Sequence, residues 1–413
     1  MDTNKYYEFA KEMYSKVGVN TDTALDSLGK IKISIHCWQG DDVAGFLNKS
    51  DQLTGGIQVT GNYPGAAKTA DQLRADISKA LSLIPGNHKL NLHSIYADTT
   101  ENIDLDLMEP KHFESWLNFA KEKNLGLDFN PTFFSHPKAS DGFTLSSANK
   151  DIRAFWIEHG KRSRKIAEHF GRELGQTAIN NIWIPDGFKD KPVDRLSPRE
   201  RLCNSLGEIL KEKYENMEDA LESKLFGIGA ESYTVGSHEF YAGYAVKNNT
   251  YLCLDSGHFH PTEMVSDKLS AVSLFVKGIL LHVSRPVRWD SDHVVILDDE
   301  LQEIANELIY NNLLTKTAIG LDFFDASINR VAAWVVGVRS TLKALLKAML
   351  MPHTSLRKAE QEGDYTTRLA LAEEMKTYPF GIVWDYYCHI NNIPKDWLAE
   401  VKDYECRVLS KRR

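Results

Sequence analysis

The sequence predicts an α/β fold: eight parallel strands closed into a (β/α)8 TIM barrel, with additional C-terminal helices. Three observations point there. Apolar segments of strand length alternate with helix-patterned stretches up to Asp322, the pattern of a parallel sheet covered by helices. Eight such segments can be read, the number that closes a barrel. A polar residue follows nearly every one of them, namely His36, His93, Asn130, Asp186, Glu231, Asp255, His282 and Asp322, and in such barrels chemistry gathers at the C-terminal strand ends. An open doubly wound sheet is the alternative. No GxGxxG follows a strand, however, since FGIGAES lacks its third glycine.

The elements can be justified in order. Residues 3–17 form an amphipathic helix that Gly18 ends. Ile31 to Ile35 alternates as the first strand, with His36 and Trp38 behind it. A polar loop from Asp41 to Ala67 follows, rich in glycine, and loops of that length often act as binding loops or lids. Thr69 to Leu83 is helical, and Lys89 to Ile95 is the second strand, carrying His93. Glu109-Pro110 starts a helix to Lys123, Leu125 to Phe129 is the third strand, and a serine-capped helix runs from Asn149 to Leu174. Asn181 to Ile184 is read as the fourth strand, with Trp183 and Asp186 near its end. Ser197-Pro198 caps a helix reaching Lys213, and LFGIGA, Leu225 to Ala230, is read as the fifth strand, ending on Glu231. Tyr251 to Leu254, Gly278 to Leu281 and Ile319 to Leu321 complete the eight, with helices at Pro261 to Val276 and Asp298 to Leu314 between them. The chain therefore divides into a catalytic barrel, 1–325, and a helical extension, 326–413. In the extension, Ile328 to Met351 is a long helix apolar on one side, and three shorter ones follow. Those apolar faces either pack on the chain's own barrel or form an oligomer contact.

Composition narrows the function. With 413 residues, 42% hydrophobic, 26% charged and a net charge of −8, the chain is an ordinary globular protein without a basic stripe for nucleic acid. Five cysteines without a CxxC pair imply neither a disulfide framework nor a thiolate zinc site, which suits a cytoplasmic protein. The N-terminus lacks a signal-peptide core and no apolar run is long enough for a membrane span, so no membrane role is expected. HEFYA at His238 has the wrong spacing for a zincin, and neither a P-loop nor a GxSxG occurs.

The densest chemistry lies between Tyr251 and Val294, where Asp255, His258, His282, Asp290 and Asp292 all follow apolar runs. Singly, each reads best as a cap or turn residue. Together they supply carboxylate and imidazole, the ligands of hard and borderline divalent ions. In an extended segment Asp290 and Asp292 would point the same way. Glu231, Asp255, His282 and Asp322, from successive strand ends, offer one ion three carboxylates and an imidazole. His258, Asp290 and Asp292 offer a second ion an imidazole and two carboxylates. Such sets suit Mn²⁺, Mg²⁺ or Co²⁺ better than a tetrahedral thiolate zinc.

WQGDDV, LTGGIQVTGNYPG, LHSIY, FGIGAES, CLDSGHFHPTE, HVSRPVRWDSDHVV and LDFFDASINRVAAWV resemble the corresponding segments of the L-rhamnose isomerase family, whose members are xylose-isomerase-like barrels. The resemblance spans most of the chain. It implies a cytoplasmic homotetramer that interconverts L-rhamnose and L-rhamnulose with two divalent ions, typically Mn²⁺, with Co²⁺, Mg²⁺ or Zn²⁺ as alternatives. By motif, Glu231, Asp255, His282 and Asp322 would hold a structural ion. His258, Asp290 and Asp292 would hold the catalytic one, with Asp255 or Glu231 as the shared carboxylate. Asp290 and His93 would be catalytic, and His93, Trp183 and Trp38 would contact the sugar. Where some family members carry a lysine two residues after the metal-binding glutamate, Tyr233 follows Glu231 here. Hydrogen would pass from C2 to C1 by a metal-assisted hydride shift or through a deprotonated carbon, and the residues do not choose. A metal-dependent hydrolase on the same barrel and a non-catalytic sugar-binding protein are the readings from other classes. The loop 41–67 would be a lid shared between subunits, laying Ile57, Val59 and Tyr63 over the methyl group of a deoxy sugar.

Overall fold

The computed structural model of the protein describes residues 2–47 and 57–412. In chain order its strands are β1 (Ile33–His36), β2 (Lys89–His93), β3 (Gly126–Asn130), β4 (Ala178–Ile182), β5 (Gly187–Phe188), β6 (Met217–Glu222), β7 (Tyr233–Thr234), β8 (Tyr251–Asp255), β9 (Gly278–Val283) and β10 (Thr317–Leu321). Eight of them close a barrel in the order β1-β10-β9-β8-β6-β4-β3-β2, and every pairing in it is parallel. The remaining two, β5 and β7, form a small antiparallel ribbon outside it.

Seven barrel strands fall where apolar alternation puts them, within a few residues. The fifth does not. Its strand is MEDALE, Met217–Glu222, while Leu225 to Ala230 is a loop whose Gly227 and Ala230 bridge each other in a tight turn. The reason lies in partners that local pattern cannot show. Asp219 of β6 faces the helix layer, where the Arg164 guanidinium meets it at 3.0 Å with both groups buried. Glu218 pairs with Lys277 at 2.6 Å. Charges that make MEDALE look unlike a strand are thus neutralised from elsewhere in the chain.

Barrel interior and mouth are built by period two. Ile179, Ala220, Cys253 and Leu280 point inward from β4, β6, β8 and β9 and make a small apolar core. Two residues further along three of those strands, the next inward positions are Glu222, Asp255 and His282. The strand period therefore delivers the polar groups together at one end. Around the barrel the helices are capped in the usual way. Asn149 accepts from the backbone of Asp151 and Ile152 at the start of Lys150–Leu174, and Gly175, with φ of 62°, ends it.

Helix Arg330–Met349 belongs to the barrel layer, packing between Asp299–Tyr310 and Ala70–Leu81. Four helices follow rather than three: His353–Gln361, Tyr365–Met375, Phe380–Ile390 and Trp397–Arg407. Phe380–Ile390 packs on the N-terminal helix Thr3–Ser15, with the rings of Tyr7 and Tyr386 stacked at 3.7 Å. Tyr365–Met375 buries Met375 alone and leaves Tyr365 and Leu369 exposed. Among the described residues, no helix is long and apolar enough to cross a membrane.

Candidate active site

A cavity of about 330 Å³ opens at the C-terminal end of the barrel. Its apolar wall includes Trp38, Val43, Phe134, Trp183 and Phe324, and its polar side includes Glu222, His258, His282, Asp290, Asp292 and Asp322. Of the residues expected here, Asp255 lies just below the surface, buried between its neighbours.

Glu222, Asp255, His282 and Asp322 come together such that one ligand atom from each lies within 4.8 Å of the others. His282 Nδ1 is 3.2 Å from Glu222 Oε1, 3.4 Å from Asp322 Oδ2 and 3.9 Å from Asp255 Oδ2. Beside this set, His258 Nδ1 is 3.5 Å from Glu222 Oε1, and its Nε2 is 3.3 Å from Asp290 Oδ2. Glu222 therefore touches both groups. Trp38 Nε1 donates to Asp322 at 3.0 Å and Asn181 Nδ2 to Glu222 at 2.5 Å, while Ser284 Oγ and the Gly257 N–H hold Asp255. A Cβ at Gly257 would lie 2.6 Å from Asp290 Oδ1, so a larger residue there would displace that carboxylate.

Five carboxylates and two imidazoles in a buried volume perturb one another strongly. Burial pushes the Asp255 carboxyl up to about 7, with Glu222 and Asp322 adding to it. Asp292 is raised well above the usual range by burial and by Asp290. Against the same burial, the His282 hydrogen bond and charge hold Asp322 down to about 2. Burial works to keep His258 neutral, but Asp290 and Asp255 outweigh it and raise its pKa well above the ordinary value. The surplus is negative. His258 Nδ1, His282 Nε2 and Asp290 Oδ1 are buried without a hydrogen-bond partner, a costly condition unless such atoms serve as ligands. Hard oxygen donors with an imidazole in each set fit divalent ions well.

Several sequence expectations change here. Glu231 is not in the cluster. It is exposed, its Oε1 accepts from the Gly229 N–H at 3.1 Å within the turn that replaces the expected strand, and its place is taken by Glu222. The lysine two residues after the glutamate is then Lys224, not Tyr233. Burial lowers its ammonium, countered by Asp290 and Asp292, and Nζ lies 4.9 Å over the Trp183 ring. Asp290 and Asp292 reach the cavity from a turn rather than a strand: Arg285 pairs with His293 across it, and Asp292 adopts φ of 46°. Asp186 faces away from the cavity, saturated by the backbone N–H and hydroxyl groups of Thr144 and Ser146. His93, Trp38 and Trp183 all line the cavity. Burial lowers the His93 imidazole to about 3, so it is neutral, and its Nδ1 is 3.2 Å from Thr132 Oγ1.

The long loop is described only in part, since 48–56 lie outside the described residues. Ile57 faces the cavity as expected, but Tyr63 turns away to bond Glu405. Glu222, Lys224 and Phe134 went unread in the sequence. The signal for the first two was the spacing Glu-x-Lys in LESK, at positions 222–224.

Known proteins resemble this chain over its whole length. The L-rhamnose isomerase (RhaA) family model matches residues 1–412. An L-rhamnose isomerase of Listeria monocytogenes is 63% identical over 415 residues, covering 100% of this chain and 99% of the relative. One from Klebsiella pneumoniae is 57% identical over 410 residues, covering 98% of each. In fold, the chain is similar to a solved L-ribulose 3-epimerase, with a TM-score of 0.50 at 14% identity, over 80% of this chain and 97% of that one. With a whole-length family match and relatives this similar, the chain belongs to the L-rhamnose isomerase family.

Proposed function

We propose that the chain is an aldose–ketose isomerase that interconverts L-rhamnose and L-rhamnulose with two divalent ions. One observation carries this reading beyond family membership: two adjoining carboxylate–imidazole sets, joined by Glu222, at the mouth of a cavity of about 330 Å³ with an apolar opposite wall. The cavity is large enough for a monosaccharide. Glu222, Asp255, His282 and Asp322 would hold one ion, and His258, Asp290 and Asp292 the other, with Glu222 shared. Bound there, such ions polarise a carbonyl and stabilise negative charge developing on its oxygen.

The reaction moves one hydrogen from C2 to C1 and one proton from O2 to O1, so no atom is gained or lost. Asp290, at the cavity surface with one oxygen unpartnered, is placed to take the O2 proton and return it at O1. Lys224 adds a nearby positive charge to the same end of the cavity. Neutral His93, packed edge-on to Trp38 and Phe134, orients a sugar oxygen without adding charge. Trp183 and Phe134 keep the carbon face dry, which favours passage of hydrogen as hydride over exchange with water.

Manganese is the ion proposed, because the donors are mostly hard oxygens. A cytoplasmic homotetramer is the assembly proposed, with the exposed face of Tyr365–Met375 as one contact. Incubation with C2-deuterated L-rhamnose and Mn²⁺ tests the reading. A ketose of unchanged mass with deuterium retained at C1 is expected. Absence of ketose overturns the function, and full loss of label to water overturns the hydride route.

A further inference from the structure

One wall of the cavity is fastened from the far end of the chain. Ile57 and Thr60 face the cavity, and the segment carrying them continues to Tyr63. Gly61, with φ of 122°, presses so closely on the loop after β10 that a Cβ would lie 2.3 Å from the Ala326 carbonyl. The Tyr63 N–H then donates to Ala326 O at 2.8 Å, and its hydroxyl donates to Glu405 Oε1 at 2.7 Å. Glu405 belongs to the last helix, Trp397–Arg407. Its other oxygen accepts from Asn329 Nδ2 at 3.1 Å and from Lys402 Nζ of its own helix at 3.0 Å, and Asn329 caps the helix Arg330–Met349. The adjoining Arg330 donates to Tyr63 O at 2.7 Å and forks onto Asp42 at 2.7 and 2.6 Å. That fork holds Asp42 and Val43 at φ of 62° and 60°, a region that β-branched residues avoid, and Val43 also faces the cavity.

We propose that Glu405 is a positioning residue for the sugar: by joining Tyr63 to Asn329 it sets where Ile57, Thr60 and Val43 meet the substrate. The proposal rests on the sugar-isomerase reading. A carboxylate that accepts from two side chains of different segments is a strong, directional junction. Of the metal-ligand set only Asp322, four residues before Ala326, shares a segment with the junction, while the others come from β6, β8 and β9 and the loops after them, so loosening the junction weakens sugar binding more than turnover.

Tyr63→Phe, Glu405→Gln and the double variant test this with L-rhamnose and Mn²⁺. Each single change is expected to raise KM roughly tenfold, keep kcat within about twofold and leave Mn²⁺ affinity unaltered. The double variant should be no worse than the poorer single, since both break one coupled junction. Unchanged KM in both singles overturns the proposal, as do multiplicative losses in the double variant or a loss of metal affinity that tracks KM. An inactive wild type in the same assay would overturn the sugar reading itself, and this proposal with it.

Discussion

Towards the N-terminal end of the barrel, Asp128 accepts from Ser34 Oγ at 2.6 Å, Lys89 Nζ at 2.9 Å and the Ile179 N–H at 2.8 Å. His88, in the same region, accepts from the Ile33 N–H at 3.3 Å and donates to Pro85 O at 3.0 Å. At the C-terminal end, buried His282 and half-buried His258 and Asp290 each leave a buried atom without a hydrogen-bond partner, and five carboxylates crowd around two imidazoles. Both ends bury ionisable groups. At one end their hydrogen-bonding capacity is met by the protein itself, which makes them structural. At the other it is left for something that binds.

The contrast can be broken by experiment, and the largest effect should come at the mouth. Glu222→Gln, which removes the carboxylate common to both sets, should abolish turnover and metal loading. Chelation of the wild type should do the same and lower thermal stability, because an ion that binds the folded chain at a hundred times its dissociation constant contributes about 2.7 kcal/mol. Full turnover after chelation, confirmed by metal analysis, would end the two-ion reading. Asp290→Asn should cut kcat by roughly 10²–10³-fold while the thermal midpoint hardly moves, as when one group facing developing charge is lost. A fall of less than tenfold would remove Asp290 from the proton transfer.

Asp128→Asn reverses the pattern. Removing one partner of a buried pair should cost about 3 kcal/mol of stability in denaturant titrations, with kcat per folded molecule unchanged. His88 gives a gentler signature. Burial lowers its native pKa to about 4, below the unfolded value near 6.5. As pH falls, the unfolded chain therefore takes up the proton first. Stability is fully present above about pH 6.5 and is lost progressively towards pH 4, at up to about 1.4 kcal/mol per pH unit. His88→Gln should flatten that slope, and an unaltered slope would exclude His88 as its source. The smallest effect belongs to Glu231→Gln, where kcat and metal affinity should stay within twofold. A large loss there would restore the glutamate that the sequence pattern favours.

Local pattern carried much of this molecule. Strand–helix alternation announces the barrel, and Asp255, His258, His282, Asp290, Asp292 and Asp322 stand out as carboxylate and imidazole behind apolar runs. Period two then places Asp255 and His282 inward whatever the details of packing. Long motifs are legible for a related reason, since they fix both side chains and turns over many consecutive residues.

Only the tertiary structure decided which glutamate joins the set. β6 reads as a polar stretch until Arg164, 55 residues from Asp219, and Lys277, 59 residues from Glu218, neutralise its charges, whereas LFGIGA looks like a strand yet turns back on itself at Gly227 and Ala230. The same holds for Asp186, a plausible strand-end ligand by position, whose hydrogen-bonding capacity is taken up by Thr144 and Ser146 more than 39 residues earlier. It holds again for Tyr63, which could as well have covered the sugar until Glu405 captured its hydroxyl. Hydrophobic period and turn chemistry act between near neighbours and are written in the sequence. Whether a buried charge is satisfied depends on partners that folding alone brings within 3 Å.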